Sequence, residues 1–175
     1  AKLDPAWDEA QLRQTVSDTF MKYQADWTAL NYESVKAYAT PQYAYHASLM
    51  MAALKQLGRV NNVKNPKIVR LEFAAVQDHE DNSQDSFTAY IDATADDQLI
   101  DARTNSVLFR DTNSFSEYWV FKRDGTKWLL DSIKQLTADA NSMSASVQAF
   151  AAQQNLFYSP DWGWLLLPKM GDIFS

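Results

Sequence analysis

The chain has no cysteine and two histidines, His46 and His79, in 175 residues. Without cysteine there is no disulfide, no thiol nucleophile and no thiolate metal site, and two histidines are too few to build a histidine-rich metal centre. No metal or other cofactor is expected. Positive charge is also scarce: 16 Lys and Arg stand against 22 Asp and Glu, a formal net charge of −6, and no basic cluster exceeds a pair. That excludes the electrostatic footprint of a nucleic-acid binder and argues against direct docking on anionic lipid. No apolar run reaches the roughly 18–20 residues of a membrane-spanning helix. Glycine is sparse as well, with four in the chain, so each one is read as a punctuation mark. The first residue is Ala rather than Met, and the expectation is that an anchor, signal or arm precedes it in the gene product.

Aromatic residues are abundant, and five of them fall in the stretch from Ser114 to Gln135. Phe115, Glu117, Trp119 and Phe121 alternate with Ser116, Tyr118, Val120 and Lys122, the period of a pleated strand. Asp124-Gly125 supplies a tight turn. Trp128, Leu130 and Ser132 then alternate with Leu129, Asp131 and Ile133, which predicts a hairpin. A hairpin this apolar requires a covering layer.

The covering layer lies upstream. Asp4-Pro5 suits a helix start, and Leu12, Val16, Phe20, Tyr23, Trp27 and Leu30 recur at steps of three and four, one face of a long amphipathic helix. Asp8, Glu9, Arg13, Gln14, Asp18 and Lys22 form its solvated face. Asn31 caps a short second helix carrying Val35 and Tyr38. Thr40-Pro41 opens a third, with Tyr43, Ala47, Met50, Leu54 and Leu57 on one face and Gly58 closing it. Arg59 to Pro66 reads as a polar loop.

From Lys67 the period becomes two. Val69, Leu71, Phe73 and Ala75 alternate with Ile68, Arg70, Glu72 and Ala74, and after a turn at His79–Ser83 a second strand sets Phe87, Ala89, Ile91 and Ala93 against Thr88, Tyr90 and Asp92. Residues 96–113 are open between a short edge strand around Val107-Leu108-Phe109 and a long loop. Helices followed by a strand meander predict an α+β fold, N-terminal helices packed on a curved antiparallel sheet of four or more strands, cone-shaped with an apolar interior, as in the nuclear-transport-factor-two-like superfold. The expected division is 1–137 for this domain and 138–175 for a C-terminal extension. In that extension Met143, Val147 and Phe150 line a modest helix, and Trp162, Trp164, Leu165, Leu166 and Phe174 belong to an aromatic strap between Pro160, Pro168 and glycines. Such a segment packs on this domain, on a second copy in a homo-oligomer, or on a partner.

The run Phe115-x-Glu117-x-Trp119-x-Phe121-x-Arg123, the turn, and Trp128-x-Leu130-x-x-Ile133-x-Gln135 resemble the end of the Tim44-like domain, shared by an inner-membrane import translocase subunit and its bacterial relatives. The first helix ending near Trp27, the entry Thr40-Pro41-x-Tyr43, the exit Leu57-Gly58-Arg59 and the following Asn61-Asn62-Val63 agree, so the resemblance covers about residues 8–136. It implies a non-catalytic scaffold or adaptor that docks a protein partner at a membrane, held there by a segment outside this chain, as part of a bacterial relative of the import-motor tether. This chain departs from the family in lacking the basic amphipathic arm used for anionic lipid and in carrying the aromatic tail after Leu156, to which the resemblance assigns no role.

Glu117 carries the rival reading. If its strand face points into the cone, a buried carboxylate acquires a raised pKa, and it could act with Tyr118 as the base of a small-molecule pocket of isomerase or dehydratase type. The alternative is a structural ion pair with Arg70 or Lys134, or an aromatic face covered only at its ends, and this structural role is the expectation. His46 reads as a packing residue and His79 as solvated. Asp96-Asp97 and Asp78, Glu80 and Asp81 read as solvated turns without the spacing of a calcium loop. Trp119 and Trp128 read as core before they read as a ligand-stacking wall. An open cavity with Glu117 or Tyr118 inside would favour the pocket, and a filled core the scaffold.

Overall fold

Local side-chain to backbone bonds set the helix boundaries. In the computed structural model, which describes residues 4–136, 156–158 and 166–168, the Asp4 carboxylate accepts from the Ala6 amide at 3.1 Å and starts a single 3₁₀ turn over Pro5–Trp7. Asp8, expected on the solvated face, is instead the cap of α1 (Glu9–Ala29), accepting from the Gln11 amide at 3.0 Å. Leu30 ends that helix in the left-handed region at φ 55°. Asn31 caps the one-turn α2 (Tyr32–Val35), and Thr40 caps α3 (Pro41–Gln56). Gly58 follows at φ 66°, a conformation that costs a residue with a Cβ.

The sheet has five antiparallel strands: β1 (Arg59–Gln77), β2 (Ser86–Asp101), β3 (Val107–Asp111), β4 (Phe115–Asp124) and β5 (Lys127–Gln135). Its order is β1-β2-β4-β5, with β3 beside the C-terminal half of β2, beyond the end of β4. Leu12, Val16, Phe20, Tyr23 and Trp27 of α1 and Tyr43, Ala47, Met50 and Leu54 of α3 are buried in one core with Phe87, Ala89 and Ile91 of β2, Trp119 and Phe121 of β4, and Trp128 and Leu130 of β5. Phe87 stacks on Phe121 at 4.9 Å and Trp128 meets Phe87 edge-on at 5.0 Å. The α+β architecture of helices on a curved antiparallel sheet is the expected one.

Three expectations need correction. Residues 59–66 are not a loop but the first eight residues of β1, paired from Arg59↔Asp101 to Lys64↔Asp96. Their polar composition hides this because Asn61 is buried in a side-chain network, and Asn65, at φ 50°, sits where the register slips between Lys64 and Lys67. Further slips at Ile68/Arg70 and Phe73/Ala75 break strict alternation, so Ile68, Leu71 and Phe73 pack inward while Val69 is exposed. In β5 the register slips opposite Val120/Phe121, where Val120 faces Ser132 and Phe121 faces Leu130. The extra residue, Asp131, shifts the inward face from Leu130 to Ile133 and Gln135, not to Ser132 as alternation predicts. The Thr40 hydroxyl donates to Asp131 at 2.8 Å and ties the bulge to the start of α3.

Residues 96–113 hold the edge strand β3. In the C-terminal extension, β6 (Leu156–Tyr158) pairs antiparallel with β7 (Leu166–Pro168). Leu166 is thus in a strand, whereas the expected helix over 138–154 and Trp162, Trp164, Leu165 and Phe174 lie outside the described residues.

Candidate functional site

The sheet, the C-terminal half of α1 and the face of α3 border a partly open cavity of about 70 Å³. Aromatic side chains and polar groups share its wall: Tyr23 and Trp27 from α1, Tyr43 from α3, Asn61 from β1, Asp97 from β2, and Phe115, Glu117 and Trp119 from β4, with Ile133 and Gln135 of β5 closing one side. Strand alternation brings Phe115, Glu117 and Trp119 to this face and sends Tyr118 to the other, where its ring meets Tyr90 at 5.7 Å. Tyr118 therefore does not share a site with Glu117.

Glu117 is 6% exposed. It does not pair with Arg70 or Lys134. Arg70 is engaged outside the cavity by Glu72 at 2.9 Å, and the carboxylate of Glu117 accepts from Trp119 Nε1 at 3.1 Å and Gln135 Nε2 at 3.2 Å. Burial pushes its pKa up, and these two neutral donors pull it back only in part. Asp97 lies in the C-terminal half of β2, between Val63 of β1 and Asp111 of β3, and not in a solvated turn as expected. Burial again raises its pKa, to about 7, opposed by a bond from the Asn61 amide and helped by the negative charges of Asp111 and Glu117. Asn61 is held from three sides: Trp27 Nε1 donates to its carbonyl at 2.8 Å, and its amide donates to the Gln98 carbonyl at 3.1 Å and to the Asp97 carboxylate.

On the helical side Tyr43 Oη donates to Tyr23 Oη at 3.3 Å. Burial raises the pKa of both phenols and the charge of Glu117 adds to the rise, so both are neutral donors throughout the physiological range. The cavity thus has two carboxyl groups, neutral polar donors and aromatic faces. Among the described residues no Lys, Arg or His lines it.

The remaining candidates fall elsewhere. Trp119 is fully buried and also walls the cavity, while Trp128 is core, its Nε1 donating to the Ala6 carbonyl at 2.9 Å. His46 is half-buried with its ring 5.7 Å from Tyr43, and His79 is exposed in its turn. Asp96 is bound by Arg110 at 2.8 Å. No group of three metal-ligating side chains occurs among the described residues. A wider depression of about 290 Å³ lies between α1 and the β4–β5 turn, lined by exposed or half-buried polar groups such as Gln11, Asp18 and Lys127.

Asp97, Asn61, Tyr23 and Gln135 were missed as site residues. The resemblance had pointed at Asn61, Tyr43 and Gln135 as parts of a pattern, but nothing local reveals that they converge. Asp97 escaped because Asp96-Asp97 looks like the end of a strand, whereas β2 runs on to Asp101.

No curated protein matches the chain. Among solved structures it is similar to the intermembrane space region of the chloroplast protein ARC6, with 15% sequence identity, 70% of this chain and 95% of that chain covered, and a TM-score of 0.49. The Tim44-like domain matches residues 1–135. With three quarters of its length covered by that match, this chain belongs to the Tim44-like domain family.

Proposed function

We propose that this is a non-catalytic adaptor domain that docks a protein partner at a membrane, a bacterial relative of the import-motor tether. The observation that carries the reading is the family match over residues 1–135. Residues 1–137 form the docking domain and 138–175 an extension whose Trp162, Trp164, Leu165, Leu166 and Phe174 contribute to the partner surface. None of the helices described is long and apolar enough to cross a membrane, and in this reading the membrane attachment is made through a segment outside the chain. The cavity supports a role other than turnover: about 70 Å³ is well below the ~300–1,000 Å³ of typical small-molecule sites, and Tyr118 is not beside Glu117.

The test is site-specific photo-crosslinking of the full-length gene product in intact membranes, with the probe at Trp162, Trp164 or Phe174. A discrete protein adduct that forms only on irradiation and is unchanged in Glu117→Gln is the expected result. A gene product that does not fractionate with membranes and gives no adduct would overturn the adaptor. Glu117 as the base of a pocket enzyme is the second reading, favoured by its burial in the cavity wall. Loss of a measurable turnover in a correctly folded Glu117→Gln protein would establish it in place of the first.

A further inference from the structure

The cavity contains a mismatch between its charge and its lining. Glu117 and Asp97 reach it from β4 and β2, and each is held only by neutral donors, the indole of Trp119 and the amide of Gln135 for one and the amide of Asn61 for the other. Among the described residues there is no cation in the wall, and the other titratable groups there are Tyr23 and Tyr43. The charged groups beyond it do not correct this. Asp111 of β3 adds negative charge beside Asp97, and Arg110, the residue before it in β3, is engaged by Asp96 at 2.8 and 3.0 Å. A carboxylate taken out of water without a counter-charge is unfavourable, and it is relieved either by holding a proton or by receiving a cation. A core that needed only to be filled would place apolar side chains at these positions.

The walls suit the second outcome. Trp27 stacks on Tyr23 at 6.1 Å, Tyr23 meets Trp119 edge-on at 5.8 Å and Tyr43 lies 6.0 Å from Tyr23, so aromatic rings crowd around the two acids. Aromatic faces attract organic cations, and the attraction strengthens as the cation is withdrawn from water. At ~10–15 Å³ for each water, about 70 Å³ admits a handful of waters, or the head and last carbons of one basic chain. We infer that this cavity is a receptor for an organic cation, a primary ammonium or guanidinium on an apolar stem, with Glu117 and Asp97 as its counter-ions and Tyr23, Trp27, Tyr43 and Trp119 as its aromatic wall. The chemistry is that of a free alkylamine and equally that of a lysine or arginine side chain presented by another protein. It does not depend on the membrane-adaptor reading, because the residues that carry it all lie between Tyr23 and Gln135.

Calorimetric titration of the whole 175-residue chain with n-butylammonium and n-butylguanidinium, against butyrate and n-butanol of matched shape, tests it. Saturable binding of a cation with release of protons near pH 7, at least about tenfold tighter than for either control, is expected. Binding should tighten by about tenfold or more from pH 5 to pH 8, as the carboxyls give up their protons. Glu117→Gln and Asp97→Asn, each checked for native circular dichroism, should each weaken it by about tenfold or more while n-butanol binding is unchanged. Acetyl-lysine and acetyl-arginine amides distinguish the sources: tighter binding than n-butylammonium identifies a peptide side chain, weaker binding a free amine. Butanol or butyrate binding as tightly as the cations, or no saturable binding of either cation, overturns the proposal. So does cation binding unaffected by both substitutions. Failure here leaves the crosslinking experiment untouched, so the two readings fail separately.

Discussion

Arg123 Nη1 donates to the carboxylate of Asp85 at 2.9 Å, and Asp85 is completely buried. The same guanidinium reaches Asp4 at 2.6 Å and the Gly125 carbonyl at 2.8 Å, while the Asp85 carboxylate also accepts from the His79 amide at 2.6 Å. One side chain thus joins the N-terminus, the β1–β2 connection and the β4–β5 turn. Removing Arg123 strands a buried charge, which typically costs about 3–5 kcal/mol. Arg123→Met is expected to lose roughly 3 kcal/mol in urea denaturation, and Arg123→Met with Asp85→Leu less than Arg123→Met alone, because the second change removes the stranded carboxylate. A single variant as stable as the parent would show that the cluster does not support the fold.

Thr40 has two tasks in one hydroxyl. It accepts from the Tyr43 amide at 3.2 Å, capping α3, and donates to Asp131 at 2.8 Å across the sheet bulge. Thr40→Val keeps the shape and removes both bonds. A loss of about 1–2 kcal/mol is expected, the upper part of the range for a cap, and Asp131→Ala should remove the smaller share. The measurement is again equilibrium denaturation; additive effects of the two changes would mean that the cap and the bulge are not linked.

Glu117 and Asp97 both have folded-state pKa values above the ordinary carboxylate range. Between the ordinary value near 3.8 and about 7 for Asp97, the folded protein binds more protons than the unfolded chain, so stability declines as pH rises through that window. Asp4 and Asp92 act oppositely: hydrogen bonds from Arg123 and Ser116 respectively lower their pKa values, and their stabilisation is lost as pH falls through the acidic range. Thermal melts should therefore show a maximum on the acidic side of neutrality. Glu117→Gln with Asp97→Asn should flatten the decline toward pH 7 and leave the acid limb unchanged. An identical profile in the double variant would show that these carboxyls are ionised normally in the folded state.

The aromatic tail is expected to pack as a strap over residues 161–174, on the domain or on a second copy. Removing everything after Gln154 should then lower the melting temperature or change the oligomeric state seen by light scattering, since each large apolar side chain withdrawn from water contributes about 1.5–3 kcal/mol. Unchanged melting and unchanged mass would mean that the strap packs nowhere on the isolated protein.

Much of the fold was legible because its signals are local. Asn31 and Thr40 cap helices by bonding amides three residues ahead, and Gly125, at φ 63°, turns the hairpin within its own neighbourhood. Phe87, Ala89, Ile91 and Ala93 alternate without interruption and are buried as alternation demands. Alternation failed where the ladder slips. Strict alternation would set Val69 with Leu71 and Phe73, and Ser132 with Leu130, but a slipped register moves every later residue to the other side, and a bulge is specified by contacts such as Thr40 to Asp131, 91 residues apart.

The candidate site shows the same division. Glu117 could be placed on the aromatic face of a strand from its neighbours alone, and the family pattern carried Asn61 and Gln135 with it. Helix starts, the hairpin turn, the change of period and the excess of acid were determined by the sequence itself, since each depends on residues within a turn or two of one another or on composition. Only the tertiary structure decided that Asp97 lies on the same cavity as Glu117, that Trp27 and Asn61, 34 residues apart, hold its wall together, and that neither acid meets a basic side chain. Burial is the reason: a carboxyl group in an extended chain is solvated wherever it stands, and it becomes an uncompensated charge only when distant elements close over it.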